Sequence, residues 1–146
     1  MAAWKKVDHI ILISSIKHPD ENPWYFKMLS PSGLTLFFRK PIIRATFPVW
    51  GKVYGESFPE AEQLLRIMPM EHSNHYLRWA LRQVSSWKGA PAHRANITHL
   101  HGTRDRSFPI HKIKEPVQMV PGGTHLMVFN QAAHISELIL SALQKD

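Results

Sequence analysis

The chain has 146 residues and a formal charge of +7 from 18 basic and 11 acidic side chains, with 44% apolar and 20% charged residues. That balance suits one globular core and excludes a disordered or collagen-like polymer. Its longest apolar runs, Ile10 to Ile13 and Leu34 to Phe38, fall far short of the roughly 18 residues that a membrane span needs.

Lys5 and Lys6 are followed by no uninterrupted apolar stretch and no small-residue cleavage site, so no export signal is expected. The absence of cysteine removes disulfides, thiolate metal sites and a Cys nucleophile, and fits a reducing compartment. The cytoplasm is the expected location. A basic surplus attracts anions, but Lys5, Lys6, Arg39, Arg78, Arg104 and Lys112 are spread along the chain. Without a basic run or a pattern of aromatic stacking residues, neither nucleic acid nor membrane is expected as a partner.

In chain order, Val7 to Ile13 (V-D-H-I-I-L-I) is a β-branched apolar run ending at Ser14-Ser15, which predicts a buried strand of a parallel sheet. Prolines then recur at 19, 23, 31, 41 and 48 among aromatic residues, which predicts short helical pieces and loops. Ser57-Phe58-Pro59-Glu60 has the spacing of a capping box and predicts a helix from Phe58 to Ile67, ending before Pro69. Ser73 is the expected N-cap of a second helix, with Leu77, Ala80, Leu81, Val84 and Trp87 as its apolar stripe, Arg78 and Arg82 facing away, and Gly89 at its close. Strands are expected at Ile97 to His101 and Val117 to Val120, followed by a helix from Gln131 to Leu143 with Asn130 as N-cap and an apolar stripe of Ile135, Leu138, Ile139, Ala142 and Leu143. Strand, loop, strand, loop, helix is the tail of an open α/β sheet.

Ligands of such sheets bind beyond the carboxyl ends of the strands, where Asp105 and His125 both fall. A carboxylate beside an imidazole fixes the ring's tautomer and orientation, the supporting half of a nucleophile, base and acid triad. On position alone, Asp105 is equally an Asx-turn residue and His125 equally a structural loop histidine.

His101-Gly102-Thr103-Arg104-Asp105-Arg106 and Gly122-Gly123-Thr124-His125-Leu126-Met127-Val128 resemble the acid and histidine motifs that close α/β-hydrolase family proteins, in the same order. Ile10-Ile11-Leu12-Ile13-Ser14-Ser15 and the segment through Trp79-Ala80 and Trp87 also resemble small esterase-like bacterial members. The resemblance implies a partial α/β-hydrolase fold across residues 1–146, with a helical cap over about 20–92 and core strands and terminal helix in 1–19 and 93–146. It makes Asp105 the triad acid and His125 the general base of ester or similar acyl-bond hydrolysis, with a small acyl substrate and no cofactor.

The family nucleophile, a Ser in G-x-S-x-G, precedes the strand that corresponds to Val7 to Ile13, and no such motif occurs here. Gly55-Glu56-Ser57-Phe58-Pro59 lacks the second Gly. Ser14 and Ser15 have bulky neighbours, Ile13 and Ile16, where a strained elbow favours small residues, so with Trp24 they are expected to line the substrate cleft. The resemblance thus implies the C-terminal part of a hydrolase, with Met1-Ala2-Ala3 ending a helix after the missing elbow and the edge of strand Val7 to Ile13 open to self-association. The alternative is a non-catalytic binding module whose aromatic segment (Trp24, Tyr25, Phe26, Phe37, Phe38, Trp50) packs a partner or an apolar ligand. His99 with His101 and His72 with His75 have pairwise metal-ligand spacing, but neither pair has a third ligand and no metal is expected.

Overall fold

The structure, a computed structural model, describes residues 8–29, 34–54, 58–89 and 96–144. The expectations for Met1-Ala2-Ala3, Val7, Gly55 and Ser57, and for the side chain of Trp50, fall outside what it describes. Among the described residues, three parallel strands, β1 (His9–Ile13), β2 (Asn96–Gly102) and β3 (Gln118–Val120), form one sheet in the order β1-β2-β3. The register pairs Ile13 with Leu100 and Gly102 with Val120. Because side chains alternate along a strand, Ile11, Ile13, Leu100 and Val120 share one face and His99 and His101 the other.

The first face carries the core. Leu100, Val120, Met127 and Ile135 are buried together, and Ile11, Ile13, Leu138 and Ile139 pack around them. β1, expected to be buried, is half-buried at all five residues, because it lies at the sheet's edge with only β2 beside it among the described residues. The expected terminal helix is α6 (Ala132–Leu143), preceded by a short helix that was not expected, α5 (Met127–Asn130); Gln131, whose backbone (φ −128°, ψ 35°) leaves the helical region, separates the two and is the N-cap of α6. Asn130 therefore does not cap α6; its Nδ2 donates to Thr124 Oγ1 at 3.1 Å. Leu143, expected on the apolar stripe, is the last residue of α6 and about half exposed.

Among the described residues, four α-helices lie between β1 and β2: α1 (Trp24–Leu29), α2 (Lys40–Tyr54), α3 (Pro59–Glu71) and α4 (Asn74–Ser86). The 15-residue α2 overturns the expectation of short pieces in the proline-rich stretch. Pro41 falls in its first turn, where the missing N–H has no intrahelical partner to lose. Pro48 is internal and costs α2 one ladder bond, which burial of Ile43 and Phe47 offsets. Likewise α3 continues through Pro69 to Glu71, because a proline in the last turn removes a donor but leaves only two residues beyond it. Its N-cap is Phe58, with Pro59 as the first helical residue.

α4 starts where Ser73 places it, with Ser73 Oγ accepting from Tyr76 N–H at 3.1 Å, and Gly89 (φ +96°) follows its end. Its apolar stripe is half-buried throughout, and Arg82 turns to Thr35 Oγ1 at 3.3 Å. α1 packs on α4 and α2 on α3, and Asn22 Nδ2 donates to the Val84 carbonyl at 2.8 Å. Among the described residues, no helix is long and apolar enough to cross a membrane.

Candidate active site

The site begins where β2 ends. Beyond Gly102, the chain stays stitched to the segment after β3: Thr103 N–H donates to the Val120 carbonyl at 3.0 Å, Arg104 N–H to the Gly123 carbonyl at 2.8 Å, and Gly122 N–H to Thr103 Oγ1 at 2.8 Å. Gly102 and Gly123 make this approach possible, since a Cβ on Gly102 would stand 2.5 Å from the Gly123 carbonyl carbon. Gly122, at φ +70°, supplies the turn. Two loops from different strands are thus held as one rigid rim.

On that rim the structure brings Asp105 and His125 together. Asp105 is buried, and its two oxygens do different work: Oδ1 accepts from Phe108 N–H at 2.9 Å and Oδ2 from His125 Nδ1 at 3.0 Å. Asp105 is therefore both a turn residue and the partner of the imidazole, one oxygen for each. A carboxylate only accepts, so Nδ1 carries the ring proton and Nε2 is the basic nitrogen. The His125 side chain is about 25% exposed against 0% for Asp105, which puts the imidazole between buried acid and opening. Such a ring can take up a proton at Nε2 while the carboxylate steadies the resulting charge.

An aromatic series leads from the crossover helices to this pair. Tyr25 Oη donates to the Ser107 carbonyl at 2.9 Å, the Phe26 ring lies 5.8 Å from Phe108, and Phe108 lies 5.6 Å from His125. Trp24 starts α1 beside Tyr25 and is 65% exposed.

Ser14 and Ser15 lie at the carboxyl end of β1, where Ser14 N–H continues the ladder to the Leu100 carbonyl at 3.1 Å. Ser14 is buried at φ +46°, a left-handed conformation that costs a residue with a Cβ roughly 1–2 kcal/mol. The bulk of Ile13 and Ile16 does not keep the chain out of it, as the sequence reading held. Among the described residues, the Ser14 hydroxyl has no hydrogen-bond partner. The Ser15 carbonyl accepts from His99 Nε2 at 3.1 Å, so its polar contact runs to His99 and not to the Asp105–His125 pair.

The histidines considered for metal binding separate. His72 and His75 are exposed, the His72 ring resting against Tyr76 at 4.5 Å. His99 and His101 are buried with ring centroids 5.4 Å apart. Among the described residues, no group of three or more His, Cys, Asp or Glu side chains is arranged to hold a metal ion. His99 has its pKa lowered from 6.5 to about 4, first by burial and then by the nearby Lys17 and the neighbouring His101. Between pH 6.5 and about 4 the unfolded chain binds a proton that the folded chain refuses, so stability falls as pH drops through that window. The loss should reach on the order of 3 kcal/mol by pH 4 and then level off. Urea unfolding at a series of pH values should show this slope in the native sequence and lose most of it in His99→Asn.

Three contributors to the site escape sequence reading. Phe108 acts through its backbone, Tyr25 through a hydroxyl that meets a carbonyl 82 residues away, and His101 looks like any strand residue before a glycine. Only Phe108 left a trace, since an Asp three residues upstream of it is the usual spacing of a side-chain-capped turn.

No family model and no curated protein sequence matches the chain. Its fold is shared with an esterase from Exiguobacterium antarcticum, at a TM-score of 0.64 and 16% identity over 94% of this chain and 57% of that one. It is also shared with a thermophilic esterase from Thermogutta terrifontis solved with malate bound, at a TM-score of 0.55 and 17% identity over 94% of this chain and 56% of the other. The chain spans a little over half the length of either esterase. What is common at such identities is an esterase-like α/β fold, a parallel sheet with helices.

Proposed function

We propose that this chain carries the acid and the base of a Ser-His-Asp ester hydrolase, with the serine supplied by polypeptide outside these 146 residues. The observation that supports it is the 3.0 Å contact between Asp105 Oδ2 and His125 Nδ1, at the carboxyl ends of neighbouring parallel strands in an esterase-like fold. In this reading the serine hydroxyl attacks the acyl carbonyl carbon as its proton passes to His125 Nε2, and the departing alcohol takes that proton when the tetrahedral adduct collapses. Water then repeats the sequence and frees the acid. Asp105 stays ionised throughout and holds Nδ1–H. Residues of about 20–92 act as a cap, Ser14, Ser15 and Trp24 line the cleft, and the substrate is a small acyl ester that needs no cofactor.

The chain alone should hydrolyse p-nitrophenyl acetate no faster than its His125→Ala variant. Joined to the polypeptide encoded upstream, it should turn over, and His125→Ala or Asp105→Asn should lower kcat by roughly 10³- to 10⁴-fold. An upstream sequence without a nucleophile serine, or activity indifferent to His125→Ala, would sink the proposal. Saturable turnover by the chain alone that vanishes in Ser14→Ala would move the nucleophile to Ser14. The exposed Trp24, Phe37 and Trp79 favour the second reading, a binding module, which an upstream sequence without the serine would leave standing.

A further inference from the structure

We propose that His101 is a positioning residue that holds the Asp105–His125 pair in register by fixing the Phe108 peptide beneath it. This rests on the reading of that pair as an acid–base unit, and its own evidence is a set of contacts on the hidden side of Asp105. The His101 ring is fully buried, and its Nε2 lies 2.7 Å from the Phe108 carbonyl oxygen. A carbonyl only accepts, so Nε2 carries a proton. Among the described residues, the other nitrogen, Nδ1, is buried without a hydrogen-bond partner. The one hydrogen bond that the ring makes among these residues therefore goes to a backbone carbonyl.

That carbonyl belongs to the residue whose N–H anchors Asp105 Oδ1. Phe108 precedes Pro109, which confines it to extended backbone and denies the following position an N–H. The loop cannot secure itself by continuing as a helix, and the Phe108 carbonyl must find a donor elsewhere. His101 is that donor. With it in place the Phe108 residue is held at both ends, by Asp105 at its N–H and by His101 at its carbonyl, and Asp105 Oδ1 is left with one direction to point. Oδ2 then faces His125. It also lies 3.6 Å from His101 Nε2, beyond hydrogen-bond reach but close enough for the N–H dipole to favour a carboxylate there. Strand β2 thus supplies the support at 101, the turn at 102 and the acid at 105.

The test uses the whole chain with ¹⁵N-labelled histidine and follows the His125 Nδ1–H proton by NMR, a readout that needs no turnover. His101→Met keeps volume and removes the donor, and His101→Gln returns an N–H donor close to the Nε2 position. We expect the His125 ring proton to exchange with solvent at least tenfold faster in His101→Met and to return near the native rate in His101→Gln. An unchanged rate in His101→Met overturns the role of His101. If His101→Met does not fold, His101→Gln decides: retention of the native rate supports the role and its loss overturns it. Collapse of both variants makes His101 a packing residue and also overturns it. Asp105→Asn separates this from the underlying reading, since a His125 ring proton unaffected by that substitution would remove the pair itself, whatever His101 does.

Discussion

Gly102→Ala is expected to destabilise the protein by about 3 kcal/mol or more, the upper range for a group forced into a packed interior. The added Cβ would meet the carbonyl carbon of Gly123 at 2.5 Å and the Gly123 Cα at 3.1 Å. Both are backbone atoms that cannot rotate away. The two loops must part, and parting them breaks the 2.8 Å bond from Arg104 N–H to the Gly123 carbonyl that carries Asp105 toward His125. Gly122→Ala is the internal comparison: its nearest neighbour would be the end of Gln131 at 3.9 Å, so only the left-handed backbone at φ +70° is strained, at about 1 kcal/mol. Against a typical total of about 5–15 kcal/mol, the first change removes much of the stability and the second little. Thermal unfolding of the two variants should rank them in that order, and equal midpoints would show that the rim yields easily.

Glu21→Gln should cost about 3 kcal/mol, although it changes one atom. Glu21 is fully buried, and its carboxylate takes three backbone donors: Lys17 and His18 N–H on Oε2, and Lys114 N–H on Oε1 at 2.8 Å. An amide turns one acceptor into a donor that faces a donor, so at least one N–H is orphaned and the others lose their charge assistance. The clamp joins the segment after β1 to the segment before β3, reinforced by Lys17 Nζ on the Lys114 and Pro116 carbonyls at 2.6 Å and by the Asp20–Lys114 ion pair. Urea unfolding measures the loss, and amide hydrogen exchange should show the Lys114 N–H opening first. A Glu21→Gln chain as stable as the native one would mean that the three donors find other acceptors.

The strands and the Ser73 cap were legible because each depends on neighbours within a few residues: a β-branched run, an oxygen three positions before an N–H. The failures share the opposite character. Pro41 and Pro48 act as helix breakers in isolation, yet α2 forms because one falls in a turn with no bond to lose and the other is outweighed by packing against α3. The short α5, four residues just ahead of Gln131, is too brief for any periodicity to record. Position suggested that Asp105 and His125 share an end of the sheet, but the 3.0 Å contact depends on Gly102 and Gly123 passing each other, two glycines 21 positions apart whose need for bareness appears only in three dimensions. His101 was passed over because its neighbours in sequence explain it well enough as a strand residue.

The placement of α1 to α4 has an evolutionary side. They leave from the end of β1 and return at the start of β2, and those strands are side by side, with His9 opposite Asn96. The excursion is a detour whose two feet stand on adjacent rungs, so its length and content can drift while the sheet keeps its register. Asp105 and His125 both come after the return, 20 residues apart, on a segment whose own turns and glycines assemble them. Selection can therefore remodel the four helices almost independently of the segment that holds Asp105 against His125. Cross-links that limit this freedom include Tyr25 on the Ser107 carbonyl, Phe26 against Phe108, and the Glu21, Lys17 and Asp20 contacts with Lys114. Descendants that change what they bind should hold these contacts while the rest of the helical segment diverges.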